Sequence, residues 1–266
     1  MKFKHLLPLL ALILPLGCQN SATSLDISRP VVEISDEADD DSNISSVITT
    51  EPNKAEIDLP VIAIADEVDN IGVADSLDYK VDFASQAPYG VWDSLHEEAC
   101  EEAAMIIAVK YFKQEILTPH IMEQGLLNLI DWEQANNYPV DLTATEAKDI
   151  LVNYFKLKAE LVTEVTVDRI KKELTDSKLI IIPAAGRLLG NPYFQTPGPI
   201  YHMLVIRGYN ATEFITNDPG TKRGDGFKYK YQTLINAIHD WDHQRAEGGM
   251  TDEEMAQGNK VMIVVN

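Results

Sequence analysis

At Lys178 the hydrophobic period of this chain changes, and that change limits its possible folds more than any other feature. Upstream, apolar residues recur at helical spacing. In "HEEACEEAAMIIAVKYFKQEI", Ala103, Ile106, Ile107, Lys110 and Tyr111 share one face. "TPHIMEQGLLNLIDWEQANN" adds a second helix, with Thr118 as N-cap and Pro119 at the first helical position. "DLTATEAKDILVNYF" carries a capping box, Thr143 with Glu146, and "TVDRIKKELTDS" is a further short helix. Downstream the runs are of strand type. "KLIIIPAAG" reads as a buried strand ended by Pro183 and Gly186. "IYHMLVIRGYN" and "TEFITNDPG" read as two strands joined by a turn at Asn210–Ala211, and "KVMIVVN" is a last strand. Helices first and strands after is an α+β order, not alternating βαβ units.

The first 18 residues read differently from everything after them. Lys2 and Lys4 precede an apolar run, Leu6 to Leu16, that is too short to span a bilayer as a helix and of the length of a signal-peptide core. It ends in Gly17 and Cys18. The stretch "LPLGC" resembles a bacterial lipoprotein lipobox, with Pro15 where that pattern has a branched apolar residue. The resemblance implies cleavage before Cys18, lipidation of Cys18 and an extracytoplasmic, membrane-anchored protein at the cell surface or in the periplasm.

Residues 19–79 hold the acidic run "SDEADDDSN" and a mixture of Ser, Thr, Asp and Glu in which no helical period persists. They read as an acidic, disordered tether, reaching at most ~200 Å at roughly 3.3 Å per residue. Residues 80–266 are then the folded domain. The formal net charge of -20 and the lack of any basic patch exclude nucleic acid as a charge-driven partner. If Cys18, one of the 2 cysteines in the chain, is lipidated or removed with its signal, Cys100 is left as a lone thiol, kept either for burial or for reactivity.

Cys100 stands at the start of a helix, where free backbone N–H groups favour a thiolate. Glu97, Glu98, Glu101 and Glu102 oppose that, so a reactive Cys100 needs a cationic partner from elsewhere in the chain. His202 lies at the front of the "IYHMLVIRGYN" strand and Asp218 at the end of the next. A turn near residues 210 and 211 pairs His202 opposite the neighbourhood of Pro219, beside Asp218. A carboxylate there orients an imidazole, although Asp218 in "NDPG" also serves as a turn former.

In order along the chain, "VDFASQAPYGVWDSLHEEACEEAAMIIA", the middle helices, "GPIYHMLVIRGYN" and "FITNDPGTKRGDGFKYKYQTLINAI" resemble the C39-like (papain-like) cysteine peptidase domains of bacterial surface proteins. The resemblance covers residues 80–266. It implies a papain-like fold with N-terminal helices packed on a C-terminal antiparallel sheet. It also implies hydrolysis of peptide bonds by Cys100 as nucleophile, His202 as base and acid, and Asp218 as the group that orients His202. Gln86 is implied as an oxyanion donor beside the backbone N–H of Cys100. Two departures stand out: Glu101 and Glu102 replace the Gly-Pro that follows the nucleophile in better-known members, and Gln86 lies far upstream of Cys100.

The expected partners are a peptide or protein substrate and, through the lipid anchor, the membrane. No cofactor is implied, and the protein is expected to be a monomer. Two other readings stay open. His96 with Cys100, or His239 with His243 in "HDWDH", has the spacing of paired metal ligands. The same domain can also be a catalytically inactive peptide- or glycan-binding module on the cell surface.

Overall fold

The computed structural model describes residues 74–266. The stretch expected to be a signal segment, with Cys18, and the expected tether up to residue 73 lie outside the described residues. Among the described residues no helix is long and apolar enough to cross a membrane.

The chain begins with a two-residue strand β1 (Leu77–Asp78) and a single turn α1 (Ser94–Glu97), followed by α2 (Cys100–Phe112), α3 (Pro119–Ala135) and α4 (Ala144–Asn153). Next come β2 (Ala159–Val162), α5 (Val167–Thr175), β3 (Leu179–Ala185), a 3-10 turn at Gly186–Leu189, β4 (Tyr201–Tyr209), β5 (Glu213–Asn217) and β6 (Asp225–Lys230). The chain ends with α6 (Tyr231–Ala237), α7 (His243–Ala246), α8 (Asp252–Met255) and β7 (Met262–Val265). The sheet runs β2-β7-β3-β4-β5-β6 with every pairing antiparallel, and β1 adds to β4. The architecture is thus α+β, with the helices of the N-terminal half against a C-terminal antiparallel sheet.

Helix α2 is buried from Cys100 to Val109, all round rather than along one stripe, as a central helix must be. Its alanines permit close approach. A Cβ built on Gly125 of α3 would lie 3.0 Å from the Ile106 side chain, so the two helices nearly touch there. Thr118 caps α3 through Ile121 N–H, and the Thr143–Glu146 capping box forms at α4.

Strand β3 is buried along its whole length because the sheet is covered on both faces. Leu179 and Ile181 join Met203, Val205 and Ile263 in the core under α2, α3 and α4. Ile180 and Ile182 join Leu204, Ile206 and Val264 in a second core with Ile170 and Leu174 of α5 and Leu234 of α6. Burying each such side chain contributes about 1.5–3 kcal/mol.

Four local findings differ from the sequence expectation. Strand β3 runs through Pro183 to Ala185 instead of stopping. The Pro183 carbonyl accepts from His239 N–H on the side away from β4, so its nitrogen faces the same way, where β7 has already ended. No ladder bond is lost there. Strands β2 and β6 lie in stretches where the sequence pattern suggests no strand. Residues 77 and 78, placed in the tether, pair as β1 with Tyr209 and Gly208. The β4–β5 register also differs slightly, with a bulge between Ile206 and Gly208.

Candidate active site

The strand ends of this sheet and the start of α2 meet at one cavity of about 790 Å³, lined by Gln86, Cys100, Glu101, His202 and Trp241 among others. Asp93 caps α1 and α2 follows, so Cys100 opens α2 with no side-chain cap in front of it. Cys100 is 6% exposed. Its thiol donates to Glu101 Oε2 at 3.0 Å. Burial pushes the thiol well above its ordinary range, and the charge of Glu101, its hydrogen bond and the charge of Glu102 push the same way. The backbone N–H of Met203, the residue after His202, acts in the opposite sense.

His202 sits on β4 opposite Ala184 and is 2% exposed. Its Nε2 lies 2.7 Å from Asp218 Oδ1. Phe194 meets the imidazole edge-on, with ring centres 5.2 Å apart. Gly220 packs so close that a Cβ there would lie 2.7 Å from Cε1. With Nε2 held by Asp218, Nδ1 is the nitrogen left to serve the cavity.

Asp218 is fully buried. Besides His202, its carboxylate accepts from Gly220 N–H at 3.0 Å, Asn191 Nδ2 at 3.0 Å and Tyr229 Oη at 2.5 Å. Burial alone would raise it. The charge of His202 and the hydrogen bonds from His202, Tyr229 and Asn191 outweigh burial and hold it below the usual carboxylate value. Tyr229 is driven upward by burial and by the Asp218 charge, so it stays a neutral donor.

Gln86 is tied to the same corner of the fold, its backbone N–H donating to Pro219 O at 3.0 Å. Its Nε2 donates to His96 O at 2.8 Å and Glu97 O at 3.2 Å at the end of α1, and its buried Oε1 has no partner. Gln86, Cys100 and His202 therefore border one cavity, and Asp218 lies behind His202.

The proposed metal pairs do not converge. His96 is clamped between Asp93, 2.7 Å from Nδ1, and Glu123, 3.0 Å from Nε2. His239 meets Gly258 O at 2.8 Å, while His243 meets Glu146 at 2.9 Å. Among the described residues no group of three His, Cys, Asp or Glu is placed to hold a metal ion.

Sequence reasoning missed Asn191 and Tyr229, which hold Asp218. The alternation in "FKYK" carried a signal for Tyr229, since period 2 puts Phe227 and Tyr229 on one face of a strand. Nothing in the sequence links Asn191 to Asp218.

In this α+β domain the helix-starting Cys100 and the His202 of a buried His–Asp pair border one cavity. The profile of the Peptidase_C39 like family matches residues 79–247, and the chain belongs to that family. A solved structure described as a C39-like peptidase, from Bacillus anthracis, is similar at 12% identity and a TM-score of 0.46, over 73% of this chain and 98% of that one. Among curated proteins nothing matches.

Proposed function

We propose that this chain is an exported cysteine peptidase of papain-like fold that hydrolyses peptide bonds through Cys100, His202 and Asp218. The observation that carries the reading is the buried His202–Asp218 pair, 2.7 Å apart, beside the cavity that Cys100 also borders. Asp218, ionised and held by four donors, fixes the ring so that Nδ1 serves the cleft. The Cys100 proton passes to Nδ1, and sulfur bonds to the substrate carbonyl carbon as the carbonyl oxygen takes up the charge. The Cys100 backbone N–H and Gln86 then stabilise that oxygen, Gln86 exchanging one of its α1 carbonyls for it. His202 returns the proton to the leaving amine as the C–N bond breaks. Water, deprotonated by His202, releases the acyl group from sulfur.

The cleft lining includes Glu97, Glu98 and Asp141 and also Lys222 and Arg223, with Trp92 and Tyr193. That suits an extended peptide carrying charges of both signs better than a uniformly acidic one. We further read the protein as a monomer anchored by lipid at Cys18, outside the cytoplasm.

One observation favours a second reading, a catalytically inactive peptide- or glycan-binding module at the cell surface: the Cys100 thiol is buried and bonded to an acid. Cleavage of a fluorogenic peptide library separates the two. Cys100→Ala and His202→Ala are each expected to lower kcat/KM by roughly 10³-fold or more. A wild-type protein that binds peptides and leaves them intact would establish the module instead.

A further inference from the structure

We propose that Glu101 is an autoinhibitory clamp on Cys100: it keeps the resting proton on the sulfur, and His202 gains the thiol only once Glu101 has left it. This rests on the peptidase reading and adds a regulation to the same site. The geometry is specific. One carboxylate oxygen of Glu101 accepts the thiol proton at 3.0 Å, and the other accepts from Leu142 N–H at 3.1 Å. The clamp is fixed at its far end too, because Leu142 O accepts from Tyr201 Oη at 2.8 Å, and Tyr201 directly precedes His202 on β4. Glu101 is 1% exposed, yet it borders the cavity, as do Asp141 and Tyr201.

The charges that act most strongly on the clamp are negative, although Lys222 and Arg223 line the same cavity. Cys100 and Glu102 face it from α2, Glu133 from α3 and Asp141 from the loop before α4, while Tyr201 faces it from β4 with Asp240 nearby. A thiolate formed beside an ionised Glu101 would set two negative charges together in a buried site. Burial and the charge of Glu102 push the Glu101 carboxyl itself well above its ordinary value, and a protonated Glu101 still keeps an oxygen on the sulfur, so the sulfur is freed by moving Glu101 off it.

Glu101→Gln keeps an acceptor for Leu142 N–H and turns an amide donor toward the sulfur, which favours thiolate. The test follows alkylation of Cys100 by iodoacetamide against pH in the full-length protein. Glu101→Gln is expected to react at least ~10-fold faster at neutral pH, the effect of one pKa unit. Adding His202→Ala should remove most of that gain. A folded Glu101→Gln that reacts at the wild-type rate overturns the clamp. The wild-type protein offers a second measurement that needs no variant of Glu101. Its infrared S–H stretch, assigned by difference from Cys100→Ser, should lie at the lowered frequency of a hydrogen-bonded thiol, and a free-thiol position overturns the clamp. Alkylation requires no substrate, so the two readings fail separately. Faster alkylation without peptide cleavage supports the clamp and removes the peptidase; wild-type alkylation with cleavage overturns the clamp alone.

Discussion

At the scale of single residues, the site turns on how a fully buried carboxylate stays charged. Asp218 is held by His202, Gly220, Asn191 and Tyr229, and a buried acceptor that loses a donor costs about 1–3 kcal/mol. Tyr229→Phe should lower stability by about that amount in a denaturant titration. Its pH dependence follows from the sign of the shift. The folded Asp218 lies below its ordinary value of 3.8, so its contribution is complete above that value and is lost as pH falls through the folded one. Removing the Tyr229 hydroxyl raises the folded value, and the acid-induced loss should begin at higher pH. Of these residues the sequence revealed His202 and Asp218, because a strand pair with a short turn brings them together by register alone. Asn191 comes from the irregular loop before β4, where no period or register applies.

At the scale of elements, helical segments were legible wherever caps and period agreed, as at Thr118 with Pro119 and at Thr143 with Glu146. Strand β6 was hidden by the glycines and charges before it, and β2 by its half-exposed, acidic "AELV". Gly208 shows how tightly the elements mesh. A Cβ there would meet Leu77 O at 2.2 Å, so Gly208→Ala should detach β1 and cost about 1–3 kcal/mol in urea unfolding. The α2–α3 contact carries a different signature. Glu102 and Glu133 sit within hydrogen-bonding reach of each other, both buried, and each has an oxygen without a conventional donor, which a shared proton satisfies. Burial drives both upward, Glu133 from 4.5 to about 7, opposed there by the Glu102 hydrogen bond and assisted by the charge of Glu101. The folded chain then holds protons that the unfolded chain has released, so stability falls as pH rises from about 4.5 to about 7. Glu133→Gln should flatten that slope in melting curves taken across this range; an unchanged slope would place the proton elsewhere.

At the scale of the whole molecule, the chain joins a strongly acidic N-terminal stretch to a domain whose cleft carries both signs of charge. Residues 77 and 78, which the polar run before the domain includes, enter the sheet because the main-chain groups of β4 at Tyr209 and Gly208 accept a partner strand and Gly208 has no Cβ to block it. The anchoring reading belongs to this scale. Cys18→Ala should move the protein from the membrane to the soluble extracytoplasmic fraction, and mass spectrometry of the mature wild-type N-terminus should find lipid on Cys18. A protein that stays in the membrane after the substitution would refute the anchor.

The central claim is that Cys100 attacks a peptide carbonyl with His202 as its proton partner, and trapping the acyl-enzyme tests it most directly. Wild-type protein mixed with a peptide ester and quenched in acid should carry the acyl mass on the Cys100 peptide, and His202→Ala should carry none. Turnover of the ester with Cys100 unmodified, or with the Cys100→Ala variant equally active, would contradict the account.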